Sequence, residues 1–331
     1  MAIAGRSVII LSKMKHLLPI LLLAGCLAPA VSAQEVPRAG PPGADPPGAG
    51  QARAEAPKAP SRIYPAPPSF LLLLLRGDHV DVRYTPGSLD RAANLQLRME
   101  LMSEIFEKWS KPPPKISLFV LSREEWQRVG YRVPYGLSMR VGQNQIAAPS
   151  LGDDDTVRLW GALLHGVLPN VPGMPILGTP QHAATLVLSD TLVQLQAAEI
   201  LVDEIGLGTE ELWLRGVMTH LVSLSISQRL EPRRRGDLDT MYGILSRVHP
   251  PKSFSPRDFD PDLGLRDWFW FQAQFHRGAA AILDDEGKDA IKRMIRLDKK
   301  DRLSEGELRQ RYEGFDTWLR ETWTKVSTRV E

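Results

Sequence analysis

The chain has 331 residues, 43% of them hydrophobic and 24% charged, with 41 Lys and Arg against 39 Asp and Glu for a net charge of +2. So near a balance leaves no basic surplus to neutralise phosphates, which excludes a dedicated nucleic-acid binder. The single cysteine, Cys26, excludes a disulfide framework and the Cys-rich zinc motifs, so any metal would have to rest on His, Asp or Glu.

Residues 1–33 read as an export signal. Arg6, Lys13 and Lys15 precede the apolar run Leu17 to Leu27, and Ala30-Val31-Ser32-Ala33 closes it before Gln34. Two processing routes stay open. Val31-Ser32-Ala33 suits signal peptidase, whereas Leu23-Ala24-Gly25-Cys26 is similar to a lipobox, in which case Cys26 is lipidated and tethers the chain to a membrane. The protein is therefore expected outside the inner membrane: periplasmic, secreted or membrane-tethered. Residues 34–69 are rich in Pro, Ala and Gly, with almost no large apolar side chains, and are expected to form a disordered, semi-extended spacer.

From residue 70 to 331 no second Pro/Gly-rich break occurs, which predicts one domain. His79 to Tyr84 alternates as a strand. A helix follows, capped by Ser88 or Asp90, with Ala92, Leu95, Met99, Met102, Ile105, Phe106 and Trp109 on its apolar stripe. Pro112 to Pro114 end it, Lys115 to Leu121 is a second strand, and Ser122-Arg123-Glu124-Glu125 opens a short helix bearing Trp126. Gly136 to Ala148 reads as a hairpin around Gly142-Gln143-Asn144. Beyond it the pattern is helical almost throughout: Thr156 to Leu168, Ala183 to Ile205, Glu210 to Leu230, Asp267 to Leu283, Gly287 to Leu297 and Glu305 to Val326. A small mixed sheet followed by a helical half is an α+β fold.

Familiar catalytic signatures are missing. There is no nucleophile elbow, phosphate-binding Gly loop or dinucleotide fingerprint, and no His is followed by Glu, so H-E-x-x-H is absent. Asp258 to Asp262 begins like a calcium loop but lacks the Gly and the closing Glu that such a loop needs. Asp153-Asp154-Asp155 reads as a helix cap and Arg233-Arg234-Arg235 as a solvated turn. One feature remains: Asp190 and Gln194, spaced i, i+4 with Thr191 beside them, sit inside a helix that is apolar nearly all round. Polar groups there need partners, and ordinary hydrogen bonds to neighbouring elements would suffice.

The order of elements resembles the gluzincin-type zinc metallopeptidases of the peptidase MA clan, particularly exported bacterial ones. Asp190-Thr191-Leu192-Val193-Gln194 stands where H-E-x-x-H would, and Leu212-Trp213-Leu214-Arg215-Gly216 where a Trp-x-x-Glu-Gly-like segment would supply the third ligand. Trp270-Phe271-Gln272-Ala273-Gln274 and the Trp318 to Trp323 helix are similar to its later elements. The resemblance implies a metallopeptidase-like fold whose former metal-site positions are Asp190, Thr191, Gln194 and Arg215, with no metal, no cofactor and no catalytic residue. A guanidinium cannot bind zinc and Thr cannot act as the general base. It implies a pseudopeptidase with a peptide- or protein-binding or scaffold role. The alternatives are a metal-dependent hydrolase that recruits His165, His182 or His220 with Asp190, and a purely structural cell-envelope protein. It further implies that Arg215 replaces the cation by pairing directly with Asp190, with Gln194 or Thr191 hydrogen-bonded into the pair.

Overall fold

The computed structural model describes residues 71–151, 154–164, 180–207, 211–232, 234–248, 255–261, 263–301 and 303–327. The export signal, Cys26 and the spacer, together with His165, lie outside them, as does the side chain of His182.

Five strands form one mixed sheet in the order β1-β2-β3-β5-β4: β1 (Leu73–Leu75), β2 (Val80–Tyr84), β3 (Ile116–Leu121), β4 (Met139–Gly142) and β5 (Gln145–Pro149). The three central strands run parallel, and β1 and β4 pair antiparallel at the two edges. The crossover between β2 and β3 is the helix α1 (Leu89–Glu107), which lies over β2 and buries Ala92, Leu95, Met99, Met102 and Phe106. Alternation along β2 puts Val80, Val82 and Tyr84 in the core while Arg83 stays exposed. The short helix α2 (Arg123–Val129) starts on a full capping box, Ser122 with Glu125, and ends on Gly130 at φ +76°, a left-handed position that suits Gly. The predicted hairpin is β4-β5.

The second half is helical: α3 (Asp154–Leu163), α4 (Pro180–Ile205), α5 (Leu212–Leu230), α6 (Arg234–Val248), α7 (Leu265–Glu286), α8 (Ala290–Asp301), α9 (Glu305–Arg311) and α10 (Glu313–Ser327). Helix α4 lies beside α1 and packs on β4 and β5. Helix α5 packs on α4, α7 on α5, and α6 and α10 on α7, so the helices build outward from one side of the sheet. Helix α4 is apolar and long enough to cross a membrane, yet most of it is buried inside the domain. Two close approaches fix the packing of α7. A Cβ on Gly216 would lie 2.5 Å from the Phe275 ring, and one on Gly278 would lie 2.7 Å from Trp318.

The α+β expectation holds, with local corrections. β1 has no counterpart in the sequence reading, because a run of leucines has no alternation to reveal it. Arg234 and Arg235 form the first turn of α6 rather than a solvated turn, and Arg235 forks onto Asp284 of α7 at 2.5 and 2.7 Å. The last predicted helix is two, α9 and α10, which meet at Tyr312.

Candidate functional site

The polar residues of α4 fall into three groups, each held by a different element. Asp190 accepts a hydrogen bond and ion pair from Arg91 of α1, whose guanidinium also donates to Ser189 at 3.3 Å. Burial draws the Arg91 pKa down to about 9, still above neutrality, so the guanidinium stays charged beside the Asp190 carboxylate. Thr191 turns its hydroxyl back onto the Val187 carbonyl at 3.0 Å, the i−4 bond of a buried helical threonine. Gln194 donates to α5: to the Ser227 hydroxyl at 2.6 Å and to the Ser223 hydroxyl and carbonyl, each at 3.2 Å.

The third group lies near the end of α4, under the hairpin. Arg140 of β4 is buried; it donates to the carbonyls of Gly142 and Gln143 and reaches Asp203 at 2.6 Å, with Glu199 3.9 Å away. Arg215 of α5 binds the other oxygen of Asp203. Two guanidinium groups and two carboxylates thus balance within one cluster that ties β4, α4 and α5 together. Removing one member would leave its partner desolvated and unpaired.

These contacts overturn the expected pair of Asp190 with Arg215. Gln194 faces Ser223 and Ser227 while Asp203 faces Arg215, so α4 and α5 run antiparallel and Arg215 sits level with the end of α4. Asp203 is thirteen residues beyond Asp190, about 20 Å along the axis at about 1.5 Å per residue. Asp190, Thr191, Gln194 and Arg215 therefore share no centre, and the metal-site register drawn from the resemblance does not hold. Arg215 does neutralise a carboxylate of α4, but it is Asp203. The histidine alternative with Asp190 fails likewise for His220, whose Nε2 is bonded to Gln272 of α7 at 2.9 Å while Asp190 is taken by Arg91.

A polar site that the sequence reading missed lies between α6, α7 and α10. His276 of α7 donates through Nε2 to Asp239 of α6 at 2.8 Å and stacks on Tyr242, with ring centroids 4.2 Å apart. His220 approaches both rings edge-on, at 5.4 Å from Tyr242 and 6.0 Å from His276. Because a carboxylate and an amide oxygen accept from the two Nε2 atoms, each imidazole carries its proton there and has a bare Nδ1. Neither Nδ1, nor the Tyr242 hydroxyl, has a hydrogen-bond partner or exposed surface. Burial lowers the pKa of both histidines, for His220 to about 3, and the neighbouring His276 adds to that shift. It raises the Tyr242 phenol well above its usual range. Burial is the largest influence on Asp239 and works to raise it, but the hydrogen bond from His276 and the charges of His276 and Arg235 together outweigh it and hold the carboxyl low.

Asp239, which is exposed, and Tyr242 and His276 also line an open groove of about 520 Å³. Its inner surface carries Gly243, Ala280, Ala281 and Gly314, and its rim carries Arg235, Arg277, Asp284 and Glu321. Among the described residues no group of three or more His, Cys, Asp or Glu is placed to hold a metal ion. No family model, curated protein or solved structure matches the chain.

Proposed function

We propose that the protein is an exported, non-catalytic binding protein that takes a short peptide or an extended protein segment in the groove between α6, α7 and α10. One observation carries the reading: among the described residues, the buried carboxylates and guanidiniums of α1, α4, α5 and β4 are bound to one another and the bare histidine nitrogens are sealed from solvent, while the groove between α6, α7 and α10 stays open. Asp190 is paired with Arg91 and Asp203 with both Arg140 and Arg215, and the bare Nδ1 atoms of His220 and His276 have no surface from which to take a substrate's proton. Small residues on the groove's inner surface let a backbone approach, and a rim of both charge signs suits a polar chain of mixed charge. Export rests on the sequence of residues 1–33.

The alternative of a hydrolase with a rearranged site has the oriented His276–Asp239 pair in its favour. The two readings part on whether a bound peptide is cleaved, and the groove that both use, with Ser246 on its wall, is tested first. Peptides selected on the folded protein from a display library should lose binding when Ser246→Trp fills the groove wall at unchanged melting temperature. Selected peptides that bind Ser246→Trp as well as the native protein would overturn the groove assignment.

A further inference from the structure

Among the described residues, the large apolar side chains left substantially exposed are Leu71 (95%), Leu73 (47%), Leu74 (41%), Leu89 (48%), Leu97 (42%) and, apart from them, Leu212. All but Leu212 belong to β1, to the chain two residues before it, or to α1. β1 is an edge strand: β2 takes one side, and no described strand pairs with the other. Natural edges are blunted by Lys, Pro, a bulge or shortness, and of these β1 has only its three-residue length.

We propose that this face is a twofold interface with a second copy of the same chain, formed by antiparallel pairing of β1 with its counterpart into one continuous sheet. The inference does not depend on the groove reading. A two-stranded antiparallel join has its dyad perpendicular to the sheet, so the same sheet face, and with it α1, lies on the same side in both copies. Leu73 is opposite Tyr84 in the register of β1 with β2, so it points to the face covered by α1, and Leu74, opposite Arg83, points to the other face.

Helix α1 presents the complement. Gln96 donates to the Leu75 carbonyl and Glu100 accepts from the backbone of His79 and Val80, which fixes the side of α1 nearest the β1 edge. Leu89, Ala93 and Leu97, spaced i, i+4, i+8, run from that side toward solvent. Because α1 lies over β2, three strand spacings of about 4.8 Å would set the two copies of α1 about 14 Å apart. Helices about 10–12 Å wide leave a narrow trough at that distance. Leu71 and Leu73 of both copies would fill it from below, and Leu89 of one copy would meet Leu97 of the other across Ala93. One symmetry operation thus covers exposed leucines on two separate elements and pairs a free strand edge. Because the strand is leucine at every position, each cross-strand pair is Leu on Leu.

Sedimentation of the full chain carrying Cys26→Ser tests this. The expected result is a dimer that becomes monomeric with Leu97→Glu, and also with Leu73→Lys, each at native circular dichroism. In the same background, Ala93→Cys should link the dimer through a short bis-maleimide, the two Cα atoms lying about 10 Å apart at closest and so beyond a disulfide's reach, whereas Gln127→Cys, exposed on α2, should not. A monomeric parent chain overturns the proposal, and one that also sediments with anionic phospholipid vesicles assigns the leucine face to a membrane instead. A dimer unaffected by Leu97→Glu and Leu73→Lys, or linked as readily through Gln127→Cys as through Ala93→Cys, overturns it as well.

Discussion

Replacing Asp190 with Ala strands the Arg91 guanidinium in the interior between α1 and α4. Both side chains are largely buried, at 8% and 14% exposure, so solvent screening relieves little of that loss. Breaking a buried pair from one side costs about 3–5 kcal/mol. At about 2–4 °C per kcal/mol for a domain of this size, the melting temperature should fall by roughly 6–20 °C. Arg91→Met should cost a similar amount. Joined as Arg91→Met with Asp190→Leu, the two changes remove both charges and keep the volume, so the double mutant should be at least about 2 kcal/mol more stable than additivity gives. Urea unfolding of the four members of the cycle measures the coupling. The same cycle on Asp190 and Arg215 should be additive within about 0.5 kcal/mol, because those residues share no partner. Additivity for Arg91 with Asp190, or coupling of Asp190 to Arg215, would refute the placement of α4 and revive the register that the metallopeptidase resemblance implied.

Four further outcomes are expected. Gly216→Ala pushes a methyl group into the Phe275 ring and should cost about 1–3 kcal/mol, and Phe275→Leu in the same chain should recover part of it. Arg140→Met should destabilise by several kcal/mol, because Asp203 keeps one buried neighbour fewer, and thermal unfolding reads the loss. His220 is held neutral in the fold, with a pKa of about 3 against 6.5 unfolded. The stability it contributes is therefore complete above pH 6.5 and falls as pH drops toward 3, by at most about 1.4 kcal/mol per pH unit for this group. His276 shifts in the same direction, so urea midpoints should decline from pH 6.5 to 4, and His220→Gln should flatten the decline. Limited proteolysis of the full chain should leave a resistant fragment beginning near Phe70, as the composition of residues 34–69 implies.

The sequence exposed those features that depend on neighbours along the chain. Ser122 and Glu125 announced their capping box, the alternation from His79 to Tyr84 announced β2, and the apolar length of α4 announced a buried central helix. What escaped was set by distance. The partner of Asp190 is Arg91, on another element 99 residues earlier, and that of His276 is Asp239, 37 residues earlier; neither spacing leaves a local mark. The polar character of Asp190 and Gln194 correctly signalled buried bonds, but not that the two residues turn to different helices. Helix α6 is legible in principle, since Leu238, Met241, Tyr242 and Leu245 recur at helical spacing and are all buried, but that stretch is assigned to no element from the sequence. The run Leu71 to Leu75 gave no period at all, so neither the strand nor its free edge could be read from it.

Whether a bound peptide stays intact is the most direct measure of what the protein does. Peptides that bind in the groove should be held with the full chain and supplied zinc, and their masses followed over many hours. The account predicts unchanged masses and full recovery of the ligand. Peptides cleaved at a defined bond, with cleavage lost on His276→Gln or Asp239→Asn while binding persists, would contradict it and make the His276–Asp239 pair a catalytic one.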